Sequence, residues 1–316
     1  MNENNVVPGS LKAWILAARP KTLSGAAVPV MIGGALAYAA HGEVRWLPLA
    51  LCFLFAFLMQ IDANFVNDYF DCIKGTDTAG RLGPLRACSQ GWISLPAMRT
   101  GILLTTLISC LAGLPLVIYG GMDMVLVGLA CVVFCFLYTT CLSYWGLGDV
   151  LVLVFFGLVP VCATYWLVTS AGVAAQWPVV VWSAVACGLV VDALLVVNNY
   201  RDIDTDRLAG KHTLVVRLGR RTSELLYLGL GVVAFLGNVV VLGCFGRMVL
   251  PPALLLFYLA AHLSSYRRLR SIGRGRELNR VLGRTALGIF LYGVSLSLGL
   301  ILSALLGHGI GQHVAF

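Results

Sequence analysis

The chain has 316 residues, of which 59% are hydrophobic and 11% charged, and its mean hydropathy of +0.89 lies far outside the range of soluble globular proteins. Its 22 lysines and arginines outnumber 14 acids, giving a net charge of +8. In a membrane protein such an excess gathers in the inner loops, facing an anionic leaflet, and it carries no argument for nucleic-acid binding.

Runs of about 20 apolar residues, enough to cross a ~30 Å hydrocarbon core, recur along the chain. They fall at 22–40, 46–66, 101–119, 122–140, 149–169, 178–198, 224–244, 247–265 and 284–306. The prediction is an all-α integral membrane protein, a single bundle of nine transmembrane helices with a cytoplasmic N-terminus. Residues 1–21 form an inner N-terminal segment, 22–307 the helical domain, and 308–316 a tail. Inner loops at 67–100 and 199–223 cap the bundle. The first run ends in "ALAYAAHG", which resembles a cleavage site, but its length and its place after Lys12, Arg19 and Lys21 predict a retained helix. With the N-terminus inside, only Arg45 and Arg247 fall outside, and the other 20 basic residues fall inside. The expected location is a bacterial inner membrane. The ten cysteines form no CxxC pair, and Cys131 and Cys135 share a helix face without histidine partners, so packing is their expected role.

The second run leads into "NDYFDCIKGTD" at 67–77, three aspartates in a chain poor in charge. Helical spacing puts Asn67, Asp68 and Asp71 around one side, and Gly75 breaks the helix before Asp77. As an ordinary solvated loop, the stretch would need Lys74, Arg81 or Arg86 to balance it. A related stretch, "NNYRDIDTD" at 198–206, follows the sixth run; Asn67, Tyr69 and Asp71 match Asn198, Tyr200 and Asp202 at constant offset, a weak internal repeat. Asn198, Asp202 and Asp206, spaced by four, share a helical face, whereas Asp204 points to solvent.

Two acidic faces on the same side of a bundle repel unless a cation lies between them. Oxygen-only ligands without histidine or thiolate suit Mg²⁺, which uses a few carboxylates and completes its shell with water and phosphate. Arg207, Lys211 and Arg86 stand beside the clusters and suit phosphate oxygens, although the inner-loop bias alone also places them there. A phosphate held at the mouth of an apolar bundle implies a lipid diphosphate. Asp62 and Asp192 lie deeper in their helices, without an obvious phosphate role.

"NDYFDCIKGTD" and "DIDTD" resemble the two aspartate-rich motifs of the UbiA superfamily of intramembrane prenyltransferases. "AARPKTL", "RLGPLRA", "YWGLGDVLVLVFFGLVPVCATYW" and "GKHTLVVRLG" resemble its naphthoate branch, so the likeness covers nearly the whole chain. It implies a UbiA-type fold and Mg²⁺-dependent transfer of a polyprenyl chain from polyprenyl diphosphate to 1,4-dihydroxy-2-naphthoate, with loss of carbon dioxide and diphosphate, in menaquinone synthesis. It further implies two Mg²⁺ ions, one held by Asn67, Asp71 and Asp77 and one by Asp202 and Asp206, with Asp68 and Asn198 close by. The last aspartate of the first motif departs from the superfamily spacing: Gly75 stands four after Asp71, and the longer KGxD spacing of the branch carries the role to Asp77.

Ionisation of an allylic diphosphate leaves a cation that needs a dry cavity and a nearby electron-rich ring. Tyr138, Tyr144 and Tyr165 either line that cavity or pack between helices. Asp149 either contacts substrate or serves the N-terminus of the fifth helix, and Arg19 either meets the acceptor's carboxylate or anchors the first helix. A transporter with ion sites near the midplane, a non-catalytic lipid-binding protein, and relatives acting on 4-hydroxybenzoate, homogentisate or haem are the competing readings. The partners expected are the diphosphate, the aromatic acceptor and membrane lipid; the oligomeric state is open.

Overall fold

The computed structural model describes residues 6–75, 82–169, 176–245 and 250–307, all helix, turn and loop, with no strand among them. A short helix, α1 (Leu11–Ala18), precedes α2 (Leu23–His41) and α3 (Trp46–Ile73). Then come α4 (Leu95–Gly120), α5 (Asp123–Leu142), α6 (Gly148–Val168), α7 (Trp177–Leu208) and α8 (Leu214–Phe245). The chain closes with α9 (Leu250–Ile272) and α10 (Leu278–Gly307).

Among the described residues, eight helical segments are long and apolar enough to cross a membrane. They are α1 with α2, then α3 to α8, and α10. The ninth predicted run is α9, a long helix whose continuous apolar stretch is cut by Pro251 and Pro252 at one end and by His262, Ser264, Ser265 and Arg267 at the other. Eight to nine apolar helices therefore build the bundle.

Local chemistry sets the ends. The Ser10 hydroxyl accepts from the Ala13 amide, and Ser94 caps α4 through Ala97, each satisfying a first-turn donor. Arg19 takes a left-handed conformation (φ 50°) before Pro20 and makes an elbow between α1 and α2. Asn64 of α3 pins that elbow, donating to the Ala18 carbonyl at 2.9 Å and to Thr22 Oγ1 at 3.0 Å.

The core lies where α2, α6, α7, α8, α9 and α10 meet, around Leu36, Tyr165, Ala184, Val190, Leu242, Leu255 and Leu296. Glycines let α6 and α7 approach backbone to backbone: a Cβ on Gly157 would lie 2.5 Å from the Ala184 carbonyl oxygen and 2.8 Å from Gly188 Cα. Leu103, Leu107 and Leu111 of α4 and Leu126 and Leu129 of α5 are exposed, an apolar surface that suits lipid.

The elements run past their predicted limits. α3 continues to Ile73 and α7 to Leu208, so the first acidic motif is helical up to the turn at Lys74 and Gly75 and the second is helical throughout. Residues 67–73 and 199–208, which fall within the cap bounds yet have helical spacing, extend α3 and α7 as polar turns on apolar helices. Asp77, Arg247 and the tail 308–316 lie outside the described residues.

Candidate active site

A cavity of about 850 Å³ runs between α2, α3, α5, α6 and α7. One stripe of α3 walls it, with Cys52, Ala56, Met59, Ala63, Asn67 and Asp71 recurring every three or four residues and Phe55 beside them. From Cys52 to Asp71 the stripe is about 28 Å long at 1.5 Å per residue. α7 supplies the facing stripe, Val191, Leu195, Asn198, Asp202 and Asp206. The two helices thus bring Asn67, Asp71, Asn198, Asp202 and Asp206 to one polar mouth above apolar walls. The Asp71 and Asp206 carboxylates stand near enough to repel one another.

Each acid at the mouth faces a cation. Arg86 donates to Asp71 at 2.8 Å, and Lys211 Nζ lies 3.7 Å from Asp206. Arg201, 2% exposed, forks onto Asp202 at 2.8 and 2.5 Å and also reaches Asn198 Oδ1 and Asn279 Oδ1, both at 2.8 Å. Asn279 in turn donates to the Leu82 carbonyl at 2.7 Å, tying α7 and α10 to the segment that follows α3.

A third group seals the rim. Lys74 Nζ bonds the Thr139 and Thr140 carbonyls at 3.0 and 2.8 Å, on the π-helical last turn of α5. It also lies 4.2 Å from the Tyr144 ring centroid, with Lys211 Nζ at 5.1 Å. Burial lowers the pKa of Lys74 from its ordinary value, with Asp71 acting in the opposite sense. Burial, then Asp71 and Asp206, raises that of the Tyr144 phenol. Gly146 (φ 78°) lets the turn pass against the loop before α8, since a Cβ there would meet the His212 carbonyl oxygen at 2.3 Å.

Not every expected residue joins the mouth. Asp68, one residue from Asn67 and so about 100° around the helix, is buried and accepts from the Ala87 and Cys88 amides, both at 2.9 Å. It braces the segment before α4 and does not line the cavity. Tyr165 lies at the opposite end of the bundle, its hydroxyl 2.9 Å from His41 Nε2 and accepting from the Gln176 amide. Arg207, on α7's last turn, is exposed and does not line the cavity. Tyr138, Asp149 and Arg19 do line it. Asp62 is held by Thr105 and Thr106 of α4, and Asp204 is exposed and paired with Arg220 at 2.9 Å.

The oxygen donors fit Mg²⁺. Among the described residues, no three His, Cys, Asp or Glu side chains converge into a closed cage. Asn67, Asp71, Asn198, Asp202 and Asp206 offer oxygen donors alone, the kind Mg²⁺ takes one or two at a time while it completes its octahedron with water and substrate phosphate.

Two acidic helix ends thus stand over an apolar cavity in a bundle of helices long and apolar enough to cross a membrane. Residues 26–294 match the UbiA prenyltransferase family, and the chain belongs to it and is a prenyltransferase. It is 34% identical over 305 residues to a 1,4-dihydroxy-2-naphthoate octaprenyltransferase of Escherichia coli, covering 92% of this chain and 96% of that one. It is 38% identical over 229 residues to the protein so named in Haemophilus influenzae, covering 69% and 73%. Among solved structures, the fold resembles an apo UbiA homolog from Aeropyrum pernix, with TM-score 0.63, 14% identity, and 88% and 97% of the two chains covered. It also resembles an Archaeoglobus fulgidus homolog bound to GPP and Mg²⁺, with TM-score 0.62, 13% identity, and 92% and 99% covered.

Proposed function

We propose that the chain transfers a polyprenyl group from a polyprenyl diphosphate to 1,4-dihydroxy-2-naphthoate, with loss of carbon dioxide and diphosphate, giving demethylmenaquinol for menaquinone synthesis. The observation that carries this reading is the placement of Asp71 on α3 opposite Asp202 and Asp206 on α7, at the mouth of an apolar cavity about 850 Å³ in volume. The acceptor rests on the similarity to the naphthoate octaprenyltransferases.

In this reading Asn67 and Asp71, with Asp77, hold one Mg²⁺, and Asp202 and Asp206, beside Asn198, hold the other. Bound there, the metal supplies electrophilic stabilisation of the negative charge on the leaving diphosphate. Arg86 and Lys211 line the cavity and donate to the diphosphate oxygens that the metals leave uncovered; Arg207, exposed nearby, serves phosphate approach. These contacts strengthen as charge develops, and so they favour bond breaking over ground-state binding. The α3 stripe takes the isoprenoid tail and keeps water from the allylic cation. Tyr138 presents its ring to that cation, Tyr144 orders the rim between Lys74 and Lys211, and Arg19 and Asp149 hold the acceptor.

In this reading α2 to α10 cross the membrane nine times as one domain. The clustering of Lys74, Arg86, Arg201, Lys211 and Arg220 at the site's end of the bundle supports the reading in which the site and the N-terminus face the cytoplasmic side of a bacterial inner membrane.

The test is transfer by purified protein in lipid, with several aromatic acceptors offered separately. Prenylated naphthoquinol and carbon dioxide from 1,4-dihydroxy-2-naphthoate support the proposal. Product from 4-hydroxybenzoate or homogentisate instead overturns the acceptor.

A further inference from the structure

A second pair of carboxyl groups lies below the mouth. Asp149, at the start of α6, lines the cavity, and Asp192 on α7 is in hydrogen-bonding contact with it. Asp192 is only 5% exposed, and one oxygen of each, Oδ1 in both, is buried without a hydrogen-bond partner. Neither side chain is in an ion pair with a lysine or arginine among the described residues. Two carboxyls in such contact share a proton, because two like charges there repel. The pair then carries one negative charge and has room for one more proton. The α6 N-terminus favours that charge on Asp149.

Its depth suits the acceptor. Asp192 precedes Asp202 by ten residues on one helix, a separation of about 15 Å along the axis. That interval has room for a diphosphate at the mouth with an aromatic ring beneath it. Tyr138 stands in the same interval: its hydroxyl oxygen would lie 3.8 Å from a Cβ built on Gly148, next to Asp149. Burying two carboxyl groups side by side in an apolar wall is costly, and of the two only Asp149 lines the cavity.

We infer that Asp149 is a catalytic residue that takes the proton of the acceptor's ring hydroxyl as the ring bonds to the prenyl carbon, with Asp192 behind it as a positioning residue. The inference rests on the naphthoate reading proposed above. When the ring carbon bearing the carboxylate bonds to the allylic carbon, the adjacent hydroxyl becomes a ketone and its proton passes to Asp149. The diphosphate has left with the electron pair of the broken C–O bond. The ring carbon now carries both prenyl chain and carboxylate beside a ketone, the arrangement of a β-keto acid. Cleavage of the bond to the carboxylate releases carbon dioxide and sends its electron pair to the ketone oxygen as an enolate. That oxygen takes the proton back from Asp149, and the aromatic hydroxyl is restored with no net change on the pair.

The experiment compares the native full-length chain with Asp149→Asn, Asp149→Glu and Asp192→Asn in lipid. Each is assayed for transfer to 1,4-dihydroxy-2-naphthoate and for Mg²⁺-dependent binding of a non-cleavable prenyl thiodiphosphate. Asp149→Asn is expected to lower kcat about 100-fold or more, in the range of general base catalysis. Asp192→Asn lowers kcat less, Asp149→Glu recovers part of the loss, and analogue binding stays within about twofold throughout. Transfer within about twofold of native in Asp149→Asn overturns the inference. Parallel loss of analogue binding and transfer also overturns it, assigning the pair to structure. A native chain that ignores naphthoate but prenylates another ring marks failure of the acceptor reading instead.

Discussion

Arg201 grips Asp202, its neighbour in sequence, with two guanidinium nitrogens at 2.8 and 2.5 Å, and it does so with 2% of its surface exposed. The same side chain holds Asn198 and Asn279, so one buried cation sets the second acidic face and ties it to α10. Removing one partner of a buried pair leaves the other uncompensated, at a cost of about 3–5 kcal/mol. Arg201→Met is therefore expected to lower the unfolding midpoint in detergent by several degrees and to abolish transfer. Arg201→Lys loses the fork and keeps the charge, so it falls between. Native midpoints and rates in both variants contradict the assignment.

Asp68 and Asp71 lie three residues apart and are expected to fail in different ways. Asp68→Asn replaces one acceptor of two backbone amides with a donor, destabilising the chain by about 1–3 kcal/mol while its Mg²⁺ dependence stays native. Asp71→Asn leaves the fold near native and lowers transfer about 100-fold or more. Thermal unfolding beside a Mg²⁺ titration of rate separates the two.

The contrast shows what was legible in the sequence. Helical spacing placed Asn198, Asp202 and Asp206 on one face, and α7 carries them so because its last turns stay helical. The same reasoning put Asp68 with Asn67 and Asp71, yet the pull of the Ala87 and Cys88 amides is a long-range contact that no local spacing reveals. Tyr165 was grouped with Tyr138 and Tyr144 by residue type, but a helix spans the membrane and its two ends see different chemistry. Arg201 carried a readable signal, an arginine inside an acidic motif, although its burial depends on Asn279, 78 residues later.

The tyrosines give a paired prediction. Tyr165→Phe removes a bond to His41 at the far end of the bundle and is expected to leave transfer within about twofold, at a stability loss of about 1 kcal/mol. Tyr138→Ala, in the cavity, lowers kcat at least tenfold. Rates for both in the same lipid preparation decide the matter, and equal effects would contradict the placement.

Ala56 lies on the α3 stripe, 15 residues before Asp71, about 22 Å along the helix. Ala56→Trp fills the far cavity. It is expected to slow transfer from long polyprenyl diphosphates several-fold and to leave geranyl diphosphate unaffected. Competition between the two donors reads the change, and an unaltered preference would mean that the tail takes another path.

Whether α3 and α7 close on one diphosphate is read from Mg²⁺-dependent prenyl transfer to 1,4-dihydroxy-2-naphthoate by the native chain, Asp71→Ala and Asp202→Ala. Product is expected from the native chain only with metal, with a loss of about 100-fold or more in each variant although both still fold. Product without metal, or full activity in either variant, would contradict that closure.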